Sequence, residues 1–138
     1  MAVVGMFLKG NFAHIVTLEG TRSEHEFVDE DVKSWELGKN PTREDVAGYG
    51  DALKAFVEKN GVTEIVLNRR VTAGQMAGAA GTFLWEGILL SLSPVPLKFV
   101  HAATVRSTDK KVGDLKKLRP EDDVPLGKAY DFAFEGLK

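Results

Sequence analysis

The residues Thr63–Leu92, TEIVLNRRVTAGQMAGAAGTFLWEGILLSL, decide how the rest of the chain is read. They open on a short apolar run with the character of a buried strand, Val62–Asn68, and turn a basic corner at Asn68-Arg69-Arg70. A helix from about Ala73 to Leu92 follows, stopped by Pro94. Its first turns hold Gly74, Ala77, Gly78, Ala79, Ala80 and Gly81. Glycine weakens a helix by about 1 kcal/mol relative to alanine, so three within eight residues need a compensating reason. Close packing onto a sheet or a twin helix is one reason. A phosphate approaching the helix N-terminus beside Arg69 and Arg70 is the other. The packing reason is preferred, because a glycine-rich stretch alone is a weak motif. Phe83, Leu84, Ile88, Leu89 and Leu92 supply the apolar face.

Upstream, Ala2–Lys9 is almost continuously apolar, which predicts a central strand covered on both faces. Gly10-Asn11 then separates it from a second strand, Phe12–Glu19, in the pattern of a tight hairpin. Ser23–Val28 predicts a short third strand at a sheet edge, and Asp29–Asn40 an irregular connection. Thr42 with Asp45 three residues on has the form of a capping box, and Val46, Tyr49, Leu53, Phe56 and Val57 recur at helical spacing up to Asn60-Gly61. A helix between two strands is a crossover, so the strand after Gly61 is expected parallel to another. Beyond Pro94 come a strand over Leu97–Ala102, a basic segment, an acidic turn at Glu121–Asp123 and a final amphipathic helix with Leu126, Tyr130, Phe132 and Phe134.

Composition narrows the function classes. The 138 residues fit a single domain, 1–138, with 43% hydrophobic and 28% charged residues. A net charge of −2 places any nucleic-acid function on a local patch. The chain has no cysteine, hence no disulfide, cysteine-zinc site or thiol nucleophile. No signal peptide and no membrane span are read from it, so a soluble cytoplasmic protein is expected.

The element order of three antiparallel strands, then helix, strand, helix, strand, helix resembles the ribonuclease H-like α/β fold, with helices on both faces of a mixed sheet. More narrowly it resembles the RuvC-like, Holliday-junction-resolvase branch, carried by VVGMFLKGNFAHIVTL, TEIVLNRRVTAGQMAGAAGTFLWEGIL, LKFVHAATVR and AYDFAFEGL. The chain is also similar to a small bacterial family of unknown function whose first strand ends Leu-Lys-Gly-Asn, here Leu8–Asn11. The resemblance implies carboxylates in the first strand, at the end of the fourth and on the last helix, holding two divalent ions ~3.5–4 Å apart. This sequence departs from that pattern. The first strand carries no acid, and the expected place falls near Met6–Leu8, with Phe7 one candidate within it; the fourth strand ends Asn68-Arg69-Arg70. Only Asp131 and Glu135, at i, i+4 on the last helix, remain as weak catalytic candidates. No metal or cofactor is expected, and Mg²⁺ enters only if those two acids serve an active nuclease.

A phosphate or nucleic-acid site is read instead from Lys9, Asn11, Asn68, Arg69, Arg70 and Arg106. Lys9 and Arg69 share one end of the sheet only if the first and fourth strands pair in parallel, and ligands of open α/β sheets gather outside the carboxyl ends of such strands. Solubilising rim charge explains the same residues equally well. His14 and His101, each alone within a predicted strand, read as structural and His25 as exposed; Trp85 reads as core or interface, and Trp35, between Lys33 and Lys39, as the better stacking candidate. Three functions follow: a degenerate nuclease relative that binds nucleic acid, a nuclease using Asp131 and Glu135, or a module that dimerises through the Ala/Gly-rich helix 74–92.

Overall fold

The computed structural model of the chain describes residues 1–69 and 80–138. Six strands form one mixed sheet: β1 (Ala2–Lys9), β2 (Phe12–Gly20), β3 (His25–Phe27), β4 (Ser34–Glu36), β5 (Val62–Asn68) and β6 (Leu97–Val100). The helices are α1 (Arg43–Asn60), α2 (Ala80–Leu92), α3 (Ala102–Val112) and α4 (Val124–Glu135), with a 3-10 turn at Gly113–Leu115. The strand order is β3-β2-β1-β5-β6, with β4 also paired to β2.

β1 is the hinge of this topology. It runs antiparallel to β2, from Ala2 opposite Glu19 to Lys9 opposite Phe12, so Gly10 and Asn11 are the two turn residues. Gly10 takes φ +58°, which a residue without Cβ reaches at no steric cost. On its other side β1 runs parallel to β5, and β5 parallel to β6. The carboxyl ends of β1, β5 and β6 therefore lie on one edge.

The apolar run of β1 divides by period two. Val4, Met6 and Leu8 join Ile15, Ile65, Leu67, Leu53, Phe56, Trp85 and Leu89 under α1 and α2. Val3 joins Val16, Leu18, Val66, Val100, Tyr130, Ala133 and Phe134 under α4, with Phe7 packed at the margin. Gly5 belongs to this second face. A Cβ there would stand 2.0 Å from the Ala129 carbonyl oxygen and 2.4 Å from the Ala133 nitrogen, so α4 seats directly on β1.

The capping box forms, with Asp45 N–H donating to Thr42 Oγ1 (3.1 Å) and Thr42 N–H to Asp45 Oδ2 (2.9 Å). Gly61 closes α1 in the left-handed conformation at φ +62°.

Several expectations are corrected. Among the described residues the order holds six strands and four helices, not five and three. The connection Asp29–Asn40 contains β4, held by pairing to Phe12–His14. The last strand ends at Val100, and His101 is the N-cap residue of α3, a helix with no counterpart in the expected order. Thr104, Val105, Ser107 and Thr108 are weak helix formers, and Thr108 is its one buried residue, with Val105 and Val112 only partly buried, so little local propensity announces α3. In α2 the buried residues are Gly81, Thr82, Trp85, Ile88 and Leu89, whereas Phe83, Leu84 and Leu92 are exposed. The expected apolar face is thus rotated, because Trp85 donates its Nε1–H to the Asn11 carbonyl (2.8 Å) and turns inward onto Tyr49. Of the six small residues only Ala80 and Gly81 are described. Gly81 is a packing device, since a Cβ there would meet Asn11 Oδ1 at 2.2 Å. Gly74, Ala77, Gly78 and Ala79 lie outside the described residues.

Candidate functional site

Period two also places Phe7 and Lys9 on the α4 face of β1, and Asn68 on the same face of β5. Above them the chain leaves β6, enters α3 at Ala102, and returns along α4. These elements enclose a cavity of about 680 Å³ at the carboxyl ends of the parallel strands. Among the described residues, Lys9, Arg69, Arg106, Arg119 and Lys128 line it, facing two carboxylates, Asp109 and Asp131. This is the position where open α/β sheets gather ligands.

Both carboxylates are already engaged. Lys116, buried beneath the cavity, donates to Asp109 Oδ1 (2.5 Å) and Asp131 Oδ1 (3.0 Å). Arg119 Nη2 pairs with Asp131 Oδ2 at 3.1 Å. Burial raises the Asp131 carboxyl above its ordinary range, and the two cations oppose that rise. Among the described residues, Lys9, Arg69, Arg106 and Lys128 make no ion pair. Arg69 lies over the Phe99 ring (4.6 Å) and Lys128 over Phe7 (4.8 Å). Contacts of this kind are weak at exposed sites and leave the charges able to turn toward a ligand.

The expected residues separate into groups. Lys9, Asn68, Arg69 and Arg106 converge on the cavity together with Asp131. Asn68 also extends the β1–β5 ladder, its Oδ1 accepting from the Leu8 N–H (3.1 Å). Asn11 is elsewhere: its carbonyl accepts from Leu37 N–H (2.9 Å) and Trp85, and Gly81 packs on it. Arg70 lies outside the described residues. Glu135 leaves Asp131 despite the i, i+4 spacing, accepting from the Thr108 hydroxyl (2.9 Å at Oε2) and facing Arg22 Nη2 at 3.7 Å. Lys116, Arg119 and Lys128 were not singled out from the sequence. Lys128 is three residues before Asp131 on one helix face, a spacing that could have shown it; Lys116 and Arg119 come from an irregular segment with no periodic signal.

The donor set does not fit a pair of divalent ions. Hard cations require several oxygen ligands, yet Phe7 and Asn68-Arg69 occupy the stretches where the resemblance implies carboxylates, and both oxygens of Asp131 are held by cations. Among the described residues, no three His, Asp or Glu side chains are grouped to hold a metal.

Other candidates resolve as structure. Trp35 meets the Phe56 ring edge-on (5.9 Å) in the α1 core. His14 lies between the rings of Phe7 and Phe12, and burial lowers its pKa. His25, only half-buried, is hydrogen-bonded to the buried Tyr130 hydroxyl (2.5 Å). Burial and the neighbouring Asp131 push that phenol up to about 12. No helix among the described residues is long and apolar enough to cross a membrane.

The architecture is that of the RuvC type of ribonuclease H-like fold. A structure of Thermus thermophilus RuvC in complex with Holliday junction substrate superposes with a TM-score of 0.71 at 13% identity, over 97% of this chain and 90% of that one. A second Thermus thermophilus RuvC structure gives 0.66 at 14% identity, covering 97% and 92%. The yeast mitochondrial Holliday junction resolvase Ydc2 gives 0.51 at 12% identity, covering 96% and 74%. At such identities the likeness is one of fold. The chain itself belongs to the family described as "Protein of unknown function (DUF3010)", whose model matches residues 1–136. No curated protein matches it.

Proposed function

We propose that this protein is a catalytically degenerate relative of the junction-resolving nucleases, and that it binds nucleic acid or another phosphate-bearing ligand in the cavity above β1, β5 and β6. One observation carries the reading. Where nucleases of this fold need anions to hold metal, this cavity presents four cations outside any ion pair among the described residues, and its two carboxylates are neutralised from within by Lys116 and Arg119. A site so charged repels Mg²⁺ and attracts phosphate. Lys9, Arg69, Arg106 and Lys128 are the phosphate contacts, with Asn68 fixing the strand ends that carry two of them. A nuclease working through Asp131 and Glu135 is disfavoured, since the two carboxylates are held by different partners.

The test is charge neutralisation. The double variant Arg69→Ala, Arg106→Ala should bind short DNA at least ten-fold more weakly than wild type, and its log K against log[salt] slope should flatten by about 0.7–0.9 per lost phosphate contact. Unchanged affinity and slope would show that these charges are rim decoration.

A second reading, dimerisation through α2, has its own support. Ala80, Leu84, Gly87 and Leu90 repeat along one exposed helix face free of charge, with open space over Gly87. Residues 74–79 of that segment lie outside the described residues. Light scattering of wild type and Leu90→Glu decides it: a dimer that becomes a monomer supports the reading, and a wild-type monomer removes it.

A further inference from the structure

The floor of the cavity is aromatic as well as cationic. Phe7 stands in the Met6–Leu8 stretch where the first carboxylate is expected, half-buried, with the Phe132 ring 6.3 Å away and Val100 and Val105 also lining the cavity. One side of the Phe7 ring is supported by His14, stacked at 6.2 Å with an interplanar angle of 26°. The ammonium of Lys128, an exposed and flexible side chain, lies over the same ring at 4.8 Å. A cavity of about 680 Å³ has the size of a small-molecule site, roughly 300–1,000 Å³. A base-paired duplex keeps its bases stacked inside and offers such a cavity only its backbone.

We propose that the cavity takes an unpaired nucleotide, the base stacking on Phe7 and the phosphate held by Arg69, Arg106 and Lys128. This deepens the phosphate reading above and rests on it. A cation–aromatic contact at an exposed position is weak, whereas a stacked base contributes more and tolerates any base identity. Lys128 therefore exchanges its place over the ring for a charge-assisted bond to the phosphate as the base arrives. An apolar floor with a cationic rim selects a ligand that is flat and uncharged at one end and anionic at the other. Inorganic phosphate or duplex backbone satisfies only the rim.

The experiment compares equilibrium binding of four probes in EDTA: a single-stranded oligothymidylate, an abasic strand of the same length, a duplex, and thymidine monophosphate as competitor. The intact strand is expected to bind about ten-fold tighter than the abasic strand, the fold-change one aromatic–base stack supports. Phe7→Leu should collapse that ratio toward one, and Phe7→Tyr, which retains the ring, should restore it; thermal midpoints report whether each variant folds. Competition by the monophosphate assigns the ligand as a free nucleotide, and affinity for the strand alone assigns single-stranded nucleic acid; both support the proposal. Equal binding of intact and abasic strands, or a ratio indifferent to Phe7→Leu, overturns it while leaving the phosphate site standing. Binding of no probe overturns both.

Discussion

Lys116 Nζ lies 3.0 Å from Asp131 Oδ1 in a region where both side chains are almost wholly buried. The same ammonium reaches Asp109 at 2.5 Å. One lysine thus neutralises the last-helix carboxylate and ties α4 to α3 beneath the cavity. Lys116→Met should destabilise the fold by up to about 3 kcal/mol at neutral pH, because it leaves the buried Asp131 with Arg119 alone as counter-ion and Asp109 unpaired. Chemical denaturation should show the deficit shrinking as pH falls and those carboxylates take up protons.

Asp131→Asn separates structure from catalysis. The wild-type carboxyl is raised in the folded state, mainly by burial. The native state therefore holds the proton more tightly than the unfolded chain, and the stability linked to it is lost as pH rises through the folded pKa. Relative to wild type, Asp131→Asn should gain stability across that rise. It should also bind phosphate-bearing probes more tightly, having one less anion in the cavity. A nuclease activity abolished by this substitution would instead support the metal-dependent reading.

Gly5 tests the seating of α4. Gly5→Ala would drive a methyl group into the Ala129 carbonyl and the Ala133 amide. A loss of about 3 kcal/mol or more is expected in urea denaturation, since backbone rather than a flexible side chain must move.

Tyr130 gives an alkaline signature. Its phenol is pushed up to about 12 in the folded protein, against about 10 when unfolded. Between those values the native state holds a proton the unfolded chain has lost, so stability is complete below pH 10 and falls as pH rises toward 12. The decline should be on the order of 2–3 kcal/mol. Absorbance titration should find one phenol resisting ionisation until near pH 12, and Tyr130→Phe should remove that step.

Much of this was legible in the residues. The unbroken apolar run of β1 foretold a strand covered on both faces, and Val4-Met6-Leu8 against Val3-Phe7 shows how it is shared. Thr42, Asp45 and Gly61 act locally, so their roles could be read without knowing the fold. What escaped depends on tertiary partners. β4 exists through its pairing to β2, and α3 through packing on α4, which overrides its weak propensity. Lys9 and Arg69 could share one end of the sheet only if β1 and β5 pair in parallel, which they do, and Asn68 and Arg106 line the same cavity. Asn11 drew attention as a polar residue beside Lys9, but its backbone serves Trp85 and Leu37. Lys116 and Arg119 reach Asp131 from a segment without regular periodicity, and no spacing rule connects them.

The proposed function rests on cations standing where nucleases of this fold hold metal. Its most direct test is fluorescence anisotropy of single-stranded and four-way-junction DNA titrated with wild-type protein, in EDTA and in excess Mg²⁺, with strand integrity followed on a gel. The account predicts salt-sensitive binding in EDTA, no gain from Mg²⁺, and uncut DNA. Binding that requires Mg²⁺, or strands cleaved in its presence, would contradict it.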